Sequence, residues 1–427
     1  MSRGRLRTEL EIVWWLGGLV LLLVAANLRN PYLLAMRDGA LPVVIAAAAA
    51  GLAALWYWPP RRPRAVRGVL VGLWLAAPAW AIADEVGFER DKHAVLTMVD
   101  APARALGAHF IVGYTHLDDV ALLADRGLIG GVFLGKRAVA GRSFEALQDD
   151  IAMLQRRRRR AGLPPLIVAA DQEGGIVSRL SPPLTALPPL ASLADLPAGA
   201  RDDAVARYGT QHGRELAALG VTLNLAPVVD LKRDLPPNPL DRNSLIAQRA
   251  ISSDPLVVAD VARAYGMALH DAGVTPTLKH FPGLGRVRED THQVAATLDA
   301  SVSELERTDW LPFRRVAADT DAVMMLAHVT VVAVDPDRPA SQSRRVVDLL
   351  RRQWGFRGRL ITDDLTMVPV YERGLCGAVV DALNAGVDLL LVAYDTDQYF
   401  PAMACARAAL RDGRLDIDRP TAVAAGP

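Results

Sequence analysis

Eight short runs of apolar and β-branched residues recur along the chain, at 110–114, 131–134, 166–170, 222–229, 275–280, 322–331, 360–363 and 387–392. Between most of them lies a stretch patterned as an amphipathic helix, such as 260–272 or 343–354. A strand that is apolar at nearly every position is covered on both faces, and strands separated by helices pair in parallel. Eight such units within about 330 residues predict an α/β fold of the (β/α)8 TIM-barrel type. A doubly wound open sheet is the alternative, but no Gly-rich turn follows the first strand to hold a dinucleotide.

The first 84 of the 427 residues follow a different pattern and hold most of the excess in a hydrophobic content of 51%. Three apolar runs, 12–28, 41–58 and 66–83, contain a single charged residue, Arg67. Each approaches the ~20 residues that a helix needs to cross the hydrocarbon core of a bilayer. A cleaved signal peptide accounts for the first run, which follows Arg3, Arg5 and Arg7, but not for the other two. The expected organisation is therefore a membrane anchor of three transmembrane helices over 1–84, a charged linker over 85–94, and a barrel over 95–427.

Basic residues set the expected orientation. Arg3, Arg5 and Arg7 precede the first run and Arg61, Arg62, Arg64 and Arg67 join the second to the third, whereas the first link holds only Arg29 and Arg37. With the richer ends in the cytoplasm, the barrel lies on the outer, periplasmic side of a bacterial inner membrane. Trp14, Trp15, Trp56, Tyr57 and Trp58 suit the interfacial belts.

A net charge of +1 gives no reason to expect a nucleic-acid partner. Cys376 and Cys405 are too few for a disulfide scaffold and read as two buried thiols, with one bridge the alternative in an oxidising compartment. The arginine run 156–160 reads as a solvated helix end rather than a contact with anionic lipid.

In parallel barrels the chemistry sits on loops after the strand C-termini. Here those ends carry Asp171, Gln172 and Glu173, then Asp230, Lys279 and His280, His328, and finally Thr362, Asp363 and Asp364. Apolar strands that end repeatedly in charge suit a pocket for a polar substrate.

Three motifs at these ends resemble glycoside hydrolase family three, in its β-N-acetylhexosaminidase branch. Lys279-His280-Phe281-Pro282-Gly283 is followed by Leu284-Gly285 and then Asp290-Thr291-His292; Asp171-Gln172-Glu173-Gly174-Gly175 is followed by Arg179; and Thr362-Asp363-Asp364 resembles the nucleophile strand. The likeness runs over about 109–395. It departs from the branch where Ile176 replaces an arginine and Leu284 a histidine, and where the segment 238–249 is longer. These departures bear on the shape of the sugar pocket and spare the reacting residues.

The resemblance implies a retaining enzyme that hydrolyses terminal β-linked N-acetylglucosamine through a covalent glycosyl-enzyme. Asp363 would be the nucleophile and His292 the proton donor, paired with Asp290. Their i, i+2 spacing in an extended loop puts the two side chains on one side, so Asp290 can fix the imidazole tautomer. An unperturbed imidazole titrates near ~6.5, which suits acid–base work at neutral pH. Asp171 would accept from sugar hydroxyls, while Arg179, Arg249, Lys279 and His280 would donate. Arg242 rivals Arg249 because of the longer segment, and Glu173 carries no catalytic role in the family. Gly283 and Gly285 precede a charged stretch, 286–290, that reads as a mobile gate.

No cofactor and no metal are expected, since the histidines lack ligand spacing. The expected partners are a glycan bearing N-acetylglucosamine, with cell-wall fragments the candidate source, and the lipid bilayer. Rival readings are a β-glucosidase-like or phosphorolytic member of the same family, or an inactive membrane-anchored glycan-binding protein.

Overall fold

The computed structural model describes residues 3–60, 63–236 and 238–417, and Arg61 and Arg62 of the expected basic link lie outside the described residues. The chain divides into two compact units, Met1–Ala94 and Val95–Pro427.

The first unit is built from three helices, α1 Arg3–Ala26, α2 Arg37–Tyr57 and α3 Arg64–Leu96. They meet along small residues: Trp74 packs edge-on against Trp14, and a Cβ added at Gly51 would lie 2.1 Å from the Trp74 ring. Small side chains at these contacts let the helices approach closely. Ala25, Leu28, Val44, Ala77 and Ala81 form a second cluster. Arg29 joins Asp84 at 3.3 Å and Glu85 at 2.6 Å, tying the first link to the far part of α3. Ile12, Leu16, Leu19, Val43, Val69 and Leu75 instead face outward and are exposed.

Among the described residues, two helices are long and apolar enough to cross a membrane, Gly39–Tyr57 and Arg64–Leu96, whereas the apolar part of α1, Glu11–Ala26, is shorter. The expected linker over 85–94 is not a separate segment. It is the charged end of α3, where Arg29 satisfies two of its carboxylates.

All eight expected strands are present in the second unit: β1 Phe110–Gly113, β2 Gly131–Leu134, β3 Ile167–Ala170, β4 Leu223–Asn224, β5 Thr275–Phe281, β6 Val323–Leu326, β7 Leu360–Thr362 and β8 Leu390–Val392. They pair in parallel in chain order, and β8 also pairs with β1, with Phe110 opposite Leu390. The Ile361–Leu389 bridge brings β7 to the chain before β8, giving a nearly closed eight-stranded barrel. Ile111, Phe133, Ala169, Leu223, Val323, Met325, Ile361 and Leu391 fill its interior.

Two strands are shorter than their apolar runs. Beyond Asn224 the chain passes Pro227, which has no N–H for a ladder, and follows β5 irregularly, with Ala226 accepting from the Thr277 N–H at 2.9 Å and Val228 opposite Lys279. The run 322–331 is split, because Val329–Val331 leaves the barrel to pair with Ala296–Leu298.

Two further expectations are corrected here. Cys376 and Cys405 are joined in a disulfide, with Cα atoms 5.5 Å apart, linking the helices Leu375–Ala385 and Tyr399–Arg411. The arginine run is not wholly solvated: Arg157 pairs with Asp125, and buried Arg158 donates to the carbonyls of Pro164 and Ala124 at 2.9 and 3.1 Å. Those arginines cap neighbouring loops, while Arg156, Arg159 and Arg160 are exposed.

Candidate active site

The loop after β3 turns back as a short hairpin, Gln172–Gly174 against Val177–Ser178. Asn224 locks its base, accepting from the Gln172 N–H at 3.1 Å and donating to the Gln172 carbonyl at 2.8 Å. Gly174 has φ of +94°, and a Cβ there would sit 1.9 Å from the Tyr208 hydroxyl, so only glycine makes this turn.

The hairpin brings Asp171 and Glu173 to Lys279 at the end of β5. Lys279 Nζ lies 2.6 Å from each carboxylate, and Arg249 grips Glu173 through two hydrogen bonds of 3.0 and 2.6 Å. Burial raises the Glu173 pKa, but the charges of Arg249 and Lys279 outweigh it and hold the carboxyl well below its usual range. Glu173 is therefore fixed as an anion and has no proton to give. Arg249, expected as a sugar ligand, is first of all the partner of Glu173, with its rival Arg242 exposed. Arg179 is exposed and makes no ion pair among the described residues, which leaves its guanidinium free for a ligand.

His280 Nδ1 donates to Asp230 at 2.7 Å while Nε2 faces Arg249 at 3.3 Å, which fixes the orientation of the ring. Asp230, fully buried, also receives the Leu284 N–H at 2.7 Å, so the leucine that replaces the family's histidine still closes this turn through its backbone. In His328, Nε2 donates to the Asp364 carbonyl at 3.1 Å and Nδ1 accepts from Ser341 at 2.7 Å. Burial lowers its pKa, against the opposing fields of Asp363 and Asp364.

Asp363 stands just beyond β7, half-buried, with one oxygen accepting from the Asp364 N–H at 2.8 Å. Burial raises its pKa, yet the fields of His280, His328 and His292 prevail and hold it below the ordinary carboxylate value. Asp364 points elsewhere, accepting the Ala393 and Tyr394 N–H groups at 3.0 and 2.8 Å, and burial pushes its pKa up.

Asp290 and His292 lie in a turn rather than the extended loop expected, since the Asp290 carbonyl accepts from Gln293 and Val294. The pairing survives this change: Asp290 Oδ1 is 3.3 Å from His292 Nδ1, and the imidazole is 42% exposed. Burial raises the Asp290 pKa, but hydrogen bonds from His292 and Asn243 outweigh it and leave the carboxylate ionised. The stretch read as a mobile gate is tethered at both ends. Arg286 bonds Asp309 and Glu304, each at 2.7 Å, and Asn243 Nδ2 bonds Asp290 at 2.7 Å.

Of the residues singled out from sequence, Asp171, Lys279, His280 and Arg249 form one charged cluster with Glu173, and Asp290 and His292 form a second. The fields of His280 and His292 both reach Asp363. Asp230, Asn243, Ser244 and Asn224 hold these groups in place. Asp230 was visible as a strand end; the other three gave no local signal.

A caged carboxylate cluster, an ionised Asp363, an Asp290–His292 pair and the exposed Arg179 thus gather at the strand ends of one barrel. Residues 78–419 match the model of the glycosyl hydrolase family 3 N terminal domain. A beta-hexosaminidase of Xanthomonas oryzae pv. oryzae is 40% identical over 272 residues, covering 62% of this chain and 77% of that protein. A family 3 β-N-acetylglucosaminidase from Paenibacillus superposes with a TM-score of 0.67 and 31% identity over 74% of this chain, which spans 59% of that longer chain. A β-N-acetylhexosaminidase from Beutenbergia cavernae gives a TM-score of 0.64 and 30% identity, covering 74% of this chain and 94% of the other. The chain belongs to glycosyl hydrolase family 3.

Proposed function

We propose that this chain is a retaining β-N-acetylhexosaminidase that removes terminal β-linked N-acetylglucosamine. Asp363 is its nucleophile and the Asp290–His292 pair its proton donor. The observation that carries the reading is the pairing of an ionised, buried Asp290 with the half-exposed imidazole of His292. Asp290 holds the Nδ1 proton, so Nε2 is the nitrogen that delivers a proton to the leaving oxygen.

The carboxylate of Asp363 then forms a bond to the anomeric carbon as the glycosidic bond breaks, and its charge stabilises the oxocarbenium-like transition state. In the second step His292 takes a proton from water, the water oxygen bonds to the anomeric carbon, and Asp363 departs as a carboxylate. Two inversions return the β-anomer. Asp171, Lys279 and Arg179 bind hydroxyl groups of the sugar through charge-assisted hydrogen bonds.

The same proposal places the first unit in a membrane, with three spans and the barrel on the outer, periplasmic side. Its support is the arginine asymmetry around α2, the apolar residues exposed on all three helices, and the Cys376–Cys405 disulfide, which persists in oxidising compartments. Cell-wall fragments carrying N-acetylglucosamine suit that location.

The test is release of nitrophenol from an aryl N-acetyl-β-glucosaminide by the full-length protein in detergent, run in the presence of a chelator. Hydrolysis should proceed, and His292→Ala should lose activity by about 10²–10⁴-fold on poor leaving groups but little on activated aryl ones. Equal loss on both would remove His292 from the donor role.

A further inference from the structure

The segment before Arg249 makes an unusual set of contacts for a surface loop. Asp290 Oδ2 accepts from the N–H groups of Arg242 and Asn243, each at 3.2 Å, and from Asn243 Nδ2 at 2.7 Å. Ser244 Oγ lies 3.2 Å from Asp290 Oδ1, 3.1 Å from Thr291 Oγ1 and 3.4 Å from His292 Nδ1. It also accepts the Thr291 N–H at 3.1 Å. Ser244 is 3% exposed, so this hydroxyl serves a buried network and not the solvent.

Two independent features show that the segment is held in this shape. Leu245 has φ of +44°, the one positive value on a residue other than glycine among the described residues. A left-handed leucine costs roughly 1–2 kcal/mol, and such strain persists only where the surroundings enforce it. Here Asp241 enforces it, accepting the N–H groups of Ser244 and Leu245 at 3.0 and 3.1 Å. The Ser244 carbonyl, in turn, accepts from Arg249 Nη1 at 2.7 Å. One residue thus touches the Asp290–His292 pair with its hydroxyl and the Glu173–Arg249–Lys279 cluster with its backbone.

We infer that Ser244 is a positioning residue for the proton donor: its hydroxyl and Asp290 together hold the Nδ1 edge of His292, so that Nε2 faces the glycosidic oxygen. This rests on the reading of His292 as the donor. Both contacts to Nδ1, at 3.3 and 3.4 Å, are long for hydrogen bonds, and a hydroxyl that rotates can follow the imidazole as it gains and loses its proton. An alanine leaves Asp290 its bonds from Asn243, so the carboxylate stays fixed while the ring loses its second restraint.

The experiment compares Ser244→Ala, Ser244→Thr and His292→Ala on N-acetyl-β-glucosaminides with good and poor leaving groups, alongside pH–rate profiles and thermal melting. Ser244→Ala should reduce kcat/KM about tenfold or more on poor leaving groups, with little change on activated ones and a displaced alkaline limb. Ser244→Thr, which keeps the hydroxyl, should restore most of the loss. Equal loss on both substrate classes with an unmoved pH profile, or no loss at all, overturns the inference, provided His292→Ala shows the leaving-group dependence. If His292→Ala lacks that dependence, the donor assignment itself falls and this inference with it. A folded Ser244→Ala protein, established by its melting curve, keeps the comparison decisive.

Discussion

Glu173 and Asp363 are both carboxylates at the mouth of the barrel, yet their surroundings give them different work. Glu173 is caged by two cations, and its charge together with that of Asp171 balances theirs. Replacing it with glutamine leaves Arg249 and Lys279 buried with one carboxylate fewer, which should destabilise the fold by roughly 3–5 kcal/mol. Because its folded pKa is depressed, that contribution is complete above the unfolded value of ~4.3 and fades only as pH falls through the folded value. Denaturation curves of wild type and Glu173→Gln should therefore differ widely at pH 7 and converge in strong acid. A gap that stayed constant with pH would contradict the caged anion. Asp363 is held ionised by the neighbouring histidines, His292 among them, together with the Asp364 N–H. Asp171, Lys279 and His280 were legible as site candidates because each ends an apolar strand, whereas the roles proposed for them come from the family resemblance. Asn243 and Ser244 were not, because their partners lie 46 to 48 residues away and polar loop residues carry no periodicity.

At the scale of elements, all eight strands could be read from sequence, since each lies in a largely apolar run and is largely buried. Their ends could not. Pro227 cuts the fourth run short, and the sixth divides where Val329 turns to pair with Ala296. The charged end of α3 was mistaken for a linker because its charges suggested solvent, whereas Arg29, far away in sequence, pairs with Asp84 and Glu85 there. Pairing of Cys376 with Cys405 was equally hidden, being set by how two helices pack after β7 and β8. Closing a loop of 29 residues stabilises by roughly 3–4 kcal/mol in the chain-entropy treatment. A Cys376→Ser, Cys405→Ser double variant should melt several degrees lower than wild type, and reductant should shift only the wild type. A melting temperature indifferent to both changes would mean that the two sulfurs are not joined.

For the whole molecule, the proposal joins three apolar helices to a barrel that works outside the cytoplasm. Alkaline phosphatase fused after residue 95 should be active, and a fusion near Arg64 should not. The reverse pattern would turn the barrel inward and leave its disulfide in a reducing compartment. The proposed chemistry is independent of this topology and depends on one bond, between Asp363 and the anomeric carbon. Its most direct test is to trap that bond with a slow fluorinated N-acetylglucosaminide, digest the protein and locate the sugar by mass spectrometry. The account predicts a single modified peptide with the sugar on Asp363 and no trapped product in Asp363→Asn; a sugar on Asp171 or Glu173, or none on a turning-over enzyme, would contradict it.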